Sequence, residues 1–162
     1  MSSSMVGVRA RRPNPALQPL AFLVGEWATT GTHPAFPGES LPGMTTYQWG
    51  EGGAYLVMRS QTDHPDFPDG VAIFSTDGAL DQVQLSWFDE RGISRLCPVT
   101  VGPGTVSWHH DDPAFLQRVT IVADPDGRRM VSTGEMAKDG ADWGPDLSQV
   151  FVRRGAAGVD PG

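Results

Sequence analysis

The feature that most limits the folds open to this chain is the recurrence of Asp-Gly. The pair stands at Asp69-Gly70, Asp77-Gly78, Asp126-Gly127 and Asp139-Gly140, each between short runs rich in β-branched, aromatic and aliphatic residues. Glycine supplies the positive φ that a tight hairpin needs. Asp89-Glu90-Arg91-Gly92 and Gly102-Pro103-Gly104 mark two further hairpins. Strands joined by turns this short are antiparallel neighbours. No segment sustains a period of 3.6 residues, so the crossover helices of a parallel sheet are not expected.

The runs between turns predict ten strands, at 25–31, 44–49, 54–62, 71–75, 82–88, 93–101, 105–110, 115–123, 129–136 and 148–154. An up-and-down barrel needs only local hairpins and leaves no sheet edge to protect. The expected fold is therefore all-β, an antiparallel up-and-down barrel of about ten strands. A barrel of that size can enclose more volume than its side chains fill. With 162 residues there is room for one domain. Residues 1–14 and 155–162 are small, polar or proline-bearing and read as loose tails around a barrel at 15–154. The segment Pro15–Leu23 reads as a short helical plug whose length Pro19 limits.

A net charge of −7 argues against nucleic acid and against an anionic membrane surface, both of which need a basic face. Cys97 is the only cysteine, which rules out an intramolecular disulfide and suits a reducing cytoplasm. Arg9, Arg11 and Arg12 precede an apolar stretch at 16–25, but it contains Gln18 and Pro19 and lacks a small-residue cleavage site, so export is not expected. No run reaches the roughly 20 apolar residues of a membrane span.

His109-His110-Asp111-Asp112 is the densest set of ligand-type side chains. Adjacent strand residues point to opposite faces, so the two histidines cannot readily hold one ion, and zinc normally takes at least three protein ligands. A solvated hairpin tip without metal is the expectation. Cys97 follows Arg95 by two residues on the same strand face: either the cation activates the thiol, or Cys97 is a small buried hydrophobe, the stronger reading. Arg59, Arg95 and Arg118 hold mid-strand positions. Inward-pointing, they would suit a carboxylate headgroup beneath an apolar tail; outward-pointing, they are surface charges. Met58, Leu85 and Trp87 are the candidate apolar walls.

The run Leu20-Ala21-Phe22-Leu23-Val24-Gly25-Glu26-Trp27 resembles the opening of calycin-like barrels, a short helical lead followed by Gly-x-Trp on the first strand. The resemblance implies that Trp27 closes one barrel end and stacks on an arginine of the last strand, Arg153 or alternatively Arg154. Trp49-Gly50-Glu51-Gly52-Gly53 and Asp139-Gly140-Ala141-Asp142-Trp143 are similar to segments of a group of small, uncharacterised bacterial barrels within that superfamily. More distantly, the lead resembles that of the nitrobindins, ten-stranded haem barrels with a His-Leu pair before the last strand, whose histidine ligates iron. Here the pair is Asp146-Leu147, so haem is not carried over.

The reading that results is a cytoplasmic barrel holding one small apolar or amphipathic molecule, with no cofactor and more binder than enzyme. A nitrobindin-like ferric-haem protein is the alternative. An enzyme acting on a hydrophobic small molecule through His109, Cys97 or Arg59 is a third reading, a partner-binding module a fourth, and a homodimer is left open.

Overall fold

Leu17, Leu20 and Leu23 recur every three residues, the period of a 3-10 helix, whose i and i+3 side chains eclipse. The computed structural model, which describes residues 12–78 and 82–155, forms such a helix over Pro15–Leu23, with all three leucines fully buried. Pro15 sits at its start, where the missing N–H costs nothing. Asn14 caps it, its side chain accepting from the Ala16 N–H at 3.1 Å. Of the tails expected from sequence, 1–11 and 156–162 lie outside the described residues. Asn14, by contrast, is 2% exposed, and its amide also donates to the Thr76 hydroxyl at 3.0 Å. The packed part of the chain thus begins before residue 15.

The strands are β1 (Gly25–Thr32), β2 (Leu41–Gly50), β3 (Tyr55–Thr62), β4 (Gly70–Thr76), β5 (Val83–Asp89), β6 (Ser94–Gly102), β7 (Thr105–Asp112), β8 (Phe115–Ala123), β9 (Arg129–Lys138), the two-residue β10 (Gly144–Pro145) and β11 (Ser148–Arg153). Consecutive strands pair antiparallel from β1 to β9, β11 pairs with both β9 and β1, and the sheet closes into a barrel. All ten runs expected from the turns are strands of this barrel.

β10 extends the last strand across a bulge. Gly144 and Pro145 face Met136 and Glu135, and Gln149 faces Ser132, so residues 146–148 stand opposite only 133 and 134. Such a bulge re-aims a side chain, here that of Asp146. Gly134 makes it possible, since a Cβ there would collide with the Leu147 carbonyl.

Hairpin glycines Gly92, Gly104, Gly127 and Gly140 have positive φ as expected; Gly78 does not, and neither does Gly70. It opens β4, and the Trp87 ring lies across it where a Cβ would be. That Asp-Gly pair marks a close approach instead of a tight turn.

The helix seals one end of the barrel. Trp27 is fully buried, meets Phe151 edge to face at 6.4 Å, and donates its Nε1–H to the Leu23 carbonyl at 2.8 Å. The Arg153 guanidinium carbon lies 4.2 Å from the Trp27 ring centroid and is the arginine that takes this place; Arg154 is exposed. Arg153 also donates to the carbonyls of Val24 (2.7 Å), Gly127 (3.0 Å) and Phe22 (3.3 Å). Gly25 has φ +133°, and a Cβ there would lie 2.5 Å from Arg153 Nη1. The Gly-x-Trp spacing therefore has a mechanical basis: the glycine clears a path for the guanidinium and the tryptophan receives it.

Candidate functional site

Cross-strand partners lie on the same face of a sheet, so the buried Trp27 fixes which residues look inward. Trp27 faces Thr45, Thr45 faces Ser60, and β3 therefore presents Leu56, Met58 and Ser60 to the lumen and Arg59 to the outside. The row through Met58 continues to Ala72, Trp87 and Arg95, which makes Arg95 an inward residue.

Toward the plugged end this interior is packed with Leu17, Leu20, Leu23, Trp27, Leu56 and Phe74. Toward the opposite end it is hollow. A cavity of about 600 Å³ opens there, within the range of sites for drug-sized molecules. Met58, Leu85, Trp87, Trp108, Val119 and Ile121 make an apolar wall, while Thr45, Ser60, Gln117, Ser132 and Gln149 make a polar one.

Arg95 is half-buried on the cavity wall, its guanidinium carbon 4.6 Å from the Phe115 centroid. Lys138, exposed at the mouth, has its ammonium 6.0 Å from the same ring. Among the described residues no carboxylate lies within ion-pair distance of either cation. Arg91 also borders the mouth, but it is paired with Asp89 at 2.7 Å. Burial pushes the Asp89 carboxyl up, yet hydrogen bonds from Arg91 and from Trp87 Nε1 outweigh it and hold the group at about 2.

Cys97 is buried beside the cavity. Burial raises its thiol to about 11, with the Arg95 charge opposing and the Asp111 charge assisting the rise. Arg95 and Cys97 thus do share the inner face, but desolvation outweighs the cation and the thiol is not activated.

Two loops roof the mouth. In residues 33–40, His33 Nδ1 accepts from the Ala35 N–H at 3.0 Å, which leaves its proton on Nε2 for Asp146 Oδ1, also at 3.0 Å. In residues 63–69, His64 repeats the device, accepting from the Asp66 N–H at 3.1 Å and facing Glu39 Oε1 at 3.2 Å. Phe36 packs against His64 with centroids 4.5 Å apart and against Phe67 at 6.2 Å, so the loops meet through aromatic rings. Asp146 is buried, and its second oxygen accepts from Gln117 Nε2 at 2.6 Å. A more open depression of about 500 Å³ lies on the outer side of the roof, between residues 32–40 and 145–148.

The site expected from sequence is brought together in part. Met58, Leu85, Trp87 and Arg95 all border the cavity. Arg59 and Arg118 do not: both are exposed on the outer face, because each has the opposite parity to an inward neighbour. Arg118 is paired there with Glu135 at 2.7 Å and lies 4.0 Å from the Trp143 centroid. His109 and Asp111 share a face as reasoned, 3.2 Å apart and exposed. Tyr47, Trp108, Lys138 and the His33–Asp146–Gln117 chain went unrecognised. For Tyr47 a signal existed, since it alternates with Thr45 and Trp49 in one short run.

No protein-family model and no curated protein sequence matches the chain. Among solved structures, the crystal structure of Rv2717c from M. tuberculosis superposes with a TM-score of 0.60 at 17% identity, covering 86% of this chain and 98% of that one. Fatty-acid-binding protein 1 of Echinococcus granulosus superposes with a TM-score of 0.57 at 12% identity, covering 83% of this chain and 98% of that one. Likeness at these identities shows the fold alone, a closed antiparallel barrel consistent with the calycin-like fold expected from the sequence.

Proposed function

We propose that the barrel binds one amphipathic small molecule, its apolar body along the wall of Met58, Leu85 and Trp108 and its anionic group, a carboxylate, at Arg95 with Lys138 nearby. The observation that carries this reading is the inward, half-buried Arg95 with no counter-ion among the described residues. A guanidinium withdrawn from water is costly unless an anion joins it, and its planar fork suits a carboxylate. A hollow of about 600 Å³ behind that cation supplies room for the rest of the molecule. The similarity of fold to a fatty-acid-binding protein supports the same reading.

Histidine-ligated haem, the alternative, does not fit the donors present. Asp146 stands where the nitrobindin resemblance would require the imidazole, and each of its oxygens already accepts a hydrogen bond, from His33 and from Gln117. His33, the nearest imidazole, has both ring nitrogens engaged.

Displacement of a fluorescent fatty-acid analogue by unlabelled long-chain carboxylates tests the proposal. One saturable, competable site per chain is expected. Arg95→Met should weaken carboxylates by about 10- to 100-fold, the equivalent of one charge-assisted contact of about 1.5–3 kcal/mol, and leave the matching alcohols nearly unchanged. Equal loss for acid and alcohol, or no saturable site, would sink it.

A further inference from the structure

Tyr47 projects from β2 into the lumen, opposite Met58 on β3. It is 1% exposed, its ring centroid lies 6.4 Å from that of Phe74, and it borders the cavity. Its hydroxyl is the one buried side-chain polar atom among the described residues without a hydrogen-bond partner. Buried hydroxyls are nearly always paired, because an unmade bond there is not repaid by water. Burial also raises the hydroxyl's pKa, so the group stays a neutral donor. Asn14 and Trp27, equally withdrawn, both satisfy their donors within the chain.

Given the amphipath reading above, on which this step rests, we infer that the bound molecule carries an oxygen on its apolar tail that accepts a hydrogen bond from Tyr47. The ligand class narrows from plain long-chain carboxylates to oxygenated ones, a keto or hydroxy acid. Two anchors of different chemistry then fix one molecule: Arg95 takes the charge and Tyr47 reads a neutral oxygen along the chain. Such a site discriminates strongly, since a ligand lacking the oxygen leaves a buried hydroxyl unpaired.

The test is calorimetric titration of wild type and Tyr47→Phe with stearate and with a series of its derivatives in which a keto group is walked along the chain. Wild type should bind one derivative about tenfold more tightly than stearate. Tyr47→Phe should erase that preference and leave stearate affinity within about twofold. An apo melting temperature of Tyr47→Phe no lower than wild type would show the fold intact. If wild type binds stearate but prefers no derivative, or if the variant weakens acid and keto acid alike, an ordered water satisfies Tyr47 and the inference is overturned while the amphipath reading stands. Should wild type bind none of them saturably, both fall together.

Discussion

Replacing Trp27 with alanine removes the piece on which the closed end depends. The indole is fully buried, so the truncation itself costs about 3–5 kcal/mol from lost transfer energy and the cavity left behind. The Leu23 carbonyl, which accepts from Nε1 at 2.8 Å, is left dry, a loss of about 1–3 kcal/mol in full burial. The Arg153 guanidinium at 4.2 Å loses a stacking surface of about 0.5–2 kcal/mol. These contributions share atoms and do not add in full, so about 4–6 kcal/mol is expected. Against a typical total of about 5–15 kcal/mol the variant would be near the edge of stability. For a domain of this size the melting midpoint should fall by roughly 8–20 °C. Far-ultraviolet circular dichroism is the right probe, because tryptophan fluorescence changes with the substitution itself. Trp27→Phe, which keeps a ring but no N–H, should recover more than half of the loss. A Trp27→Ala midpoint within about 2 °C of wild type would refute the reasoning.

Two further outcomes follow from the groups around the mouth. Alkylation of Cys97 in the native protein should be slow at neutral pH and accelerate only as pH approaches about 11, where burial has placed its thiol; rapid alkylation at pH 7 would mean the cavity wall opens. Asp89, held at about 2, contributes stability that is complete above the unfolded value of about 3.9 and is lost as pH falls through about 2. Asp89→Asn should therefore flatten the stability profile between those two values, and an unchanged acid limb in urea melts would contradict it.

The barrel was legible because its information is local. Hairpins are specified by a few residues each, and ten short runs separated by them leave little choice of topology. Features that depend on distant partners were not legible. Asp69-Gly70 carries the hairpin signal, yet its glycine is there to let the Trp87 ring approach the backbone, a contact made across the β4–β5 pair. The bulge at 146–148 leaves no mark in composition, and with it went the chain His33–Asp146–Gln117, whose members are 113 and 29 residues apart.

The arginines show where the missing information lay. Side-chain facing on a strand is a parity, and parity passes from strand to strand only through register. Trp27 supplies a fixed starting point, because its resemblance to the calycin lead already assigns it inward. From there Thr45 and Ser60 share its face, which excludes Arg59; Ala72, Trp87 and Arg95 share the next row, which admits Arg95; and Val99, Trp108 and Val119 carry the parity onward to exclude Arg118. The short turns at 103–104 and 113–114 would have allowed the last steps from sequence alone. The loops at 33–40 and 63–69 would not, since eight and seven residues fix no register. Those same two loops roof the cavity mouth through His33, Phe36, His64 and Phe67. The segments that hid the parity of the strands are therefore the ones that cover the cavity: a loop long enough to fold over a cavity is too long to transmit register.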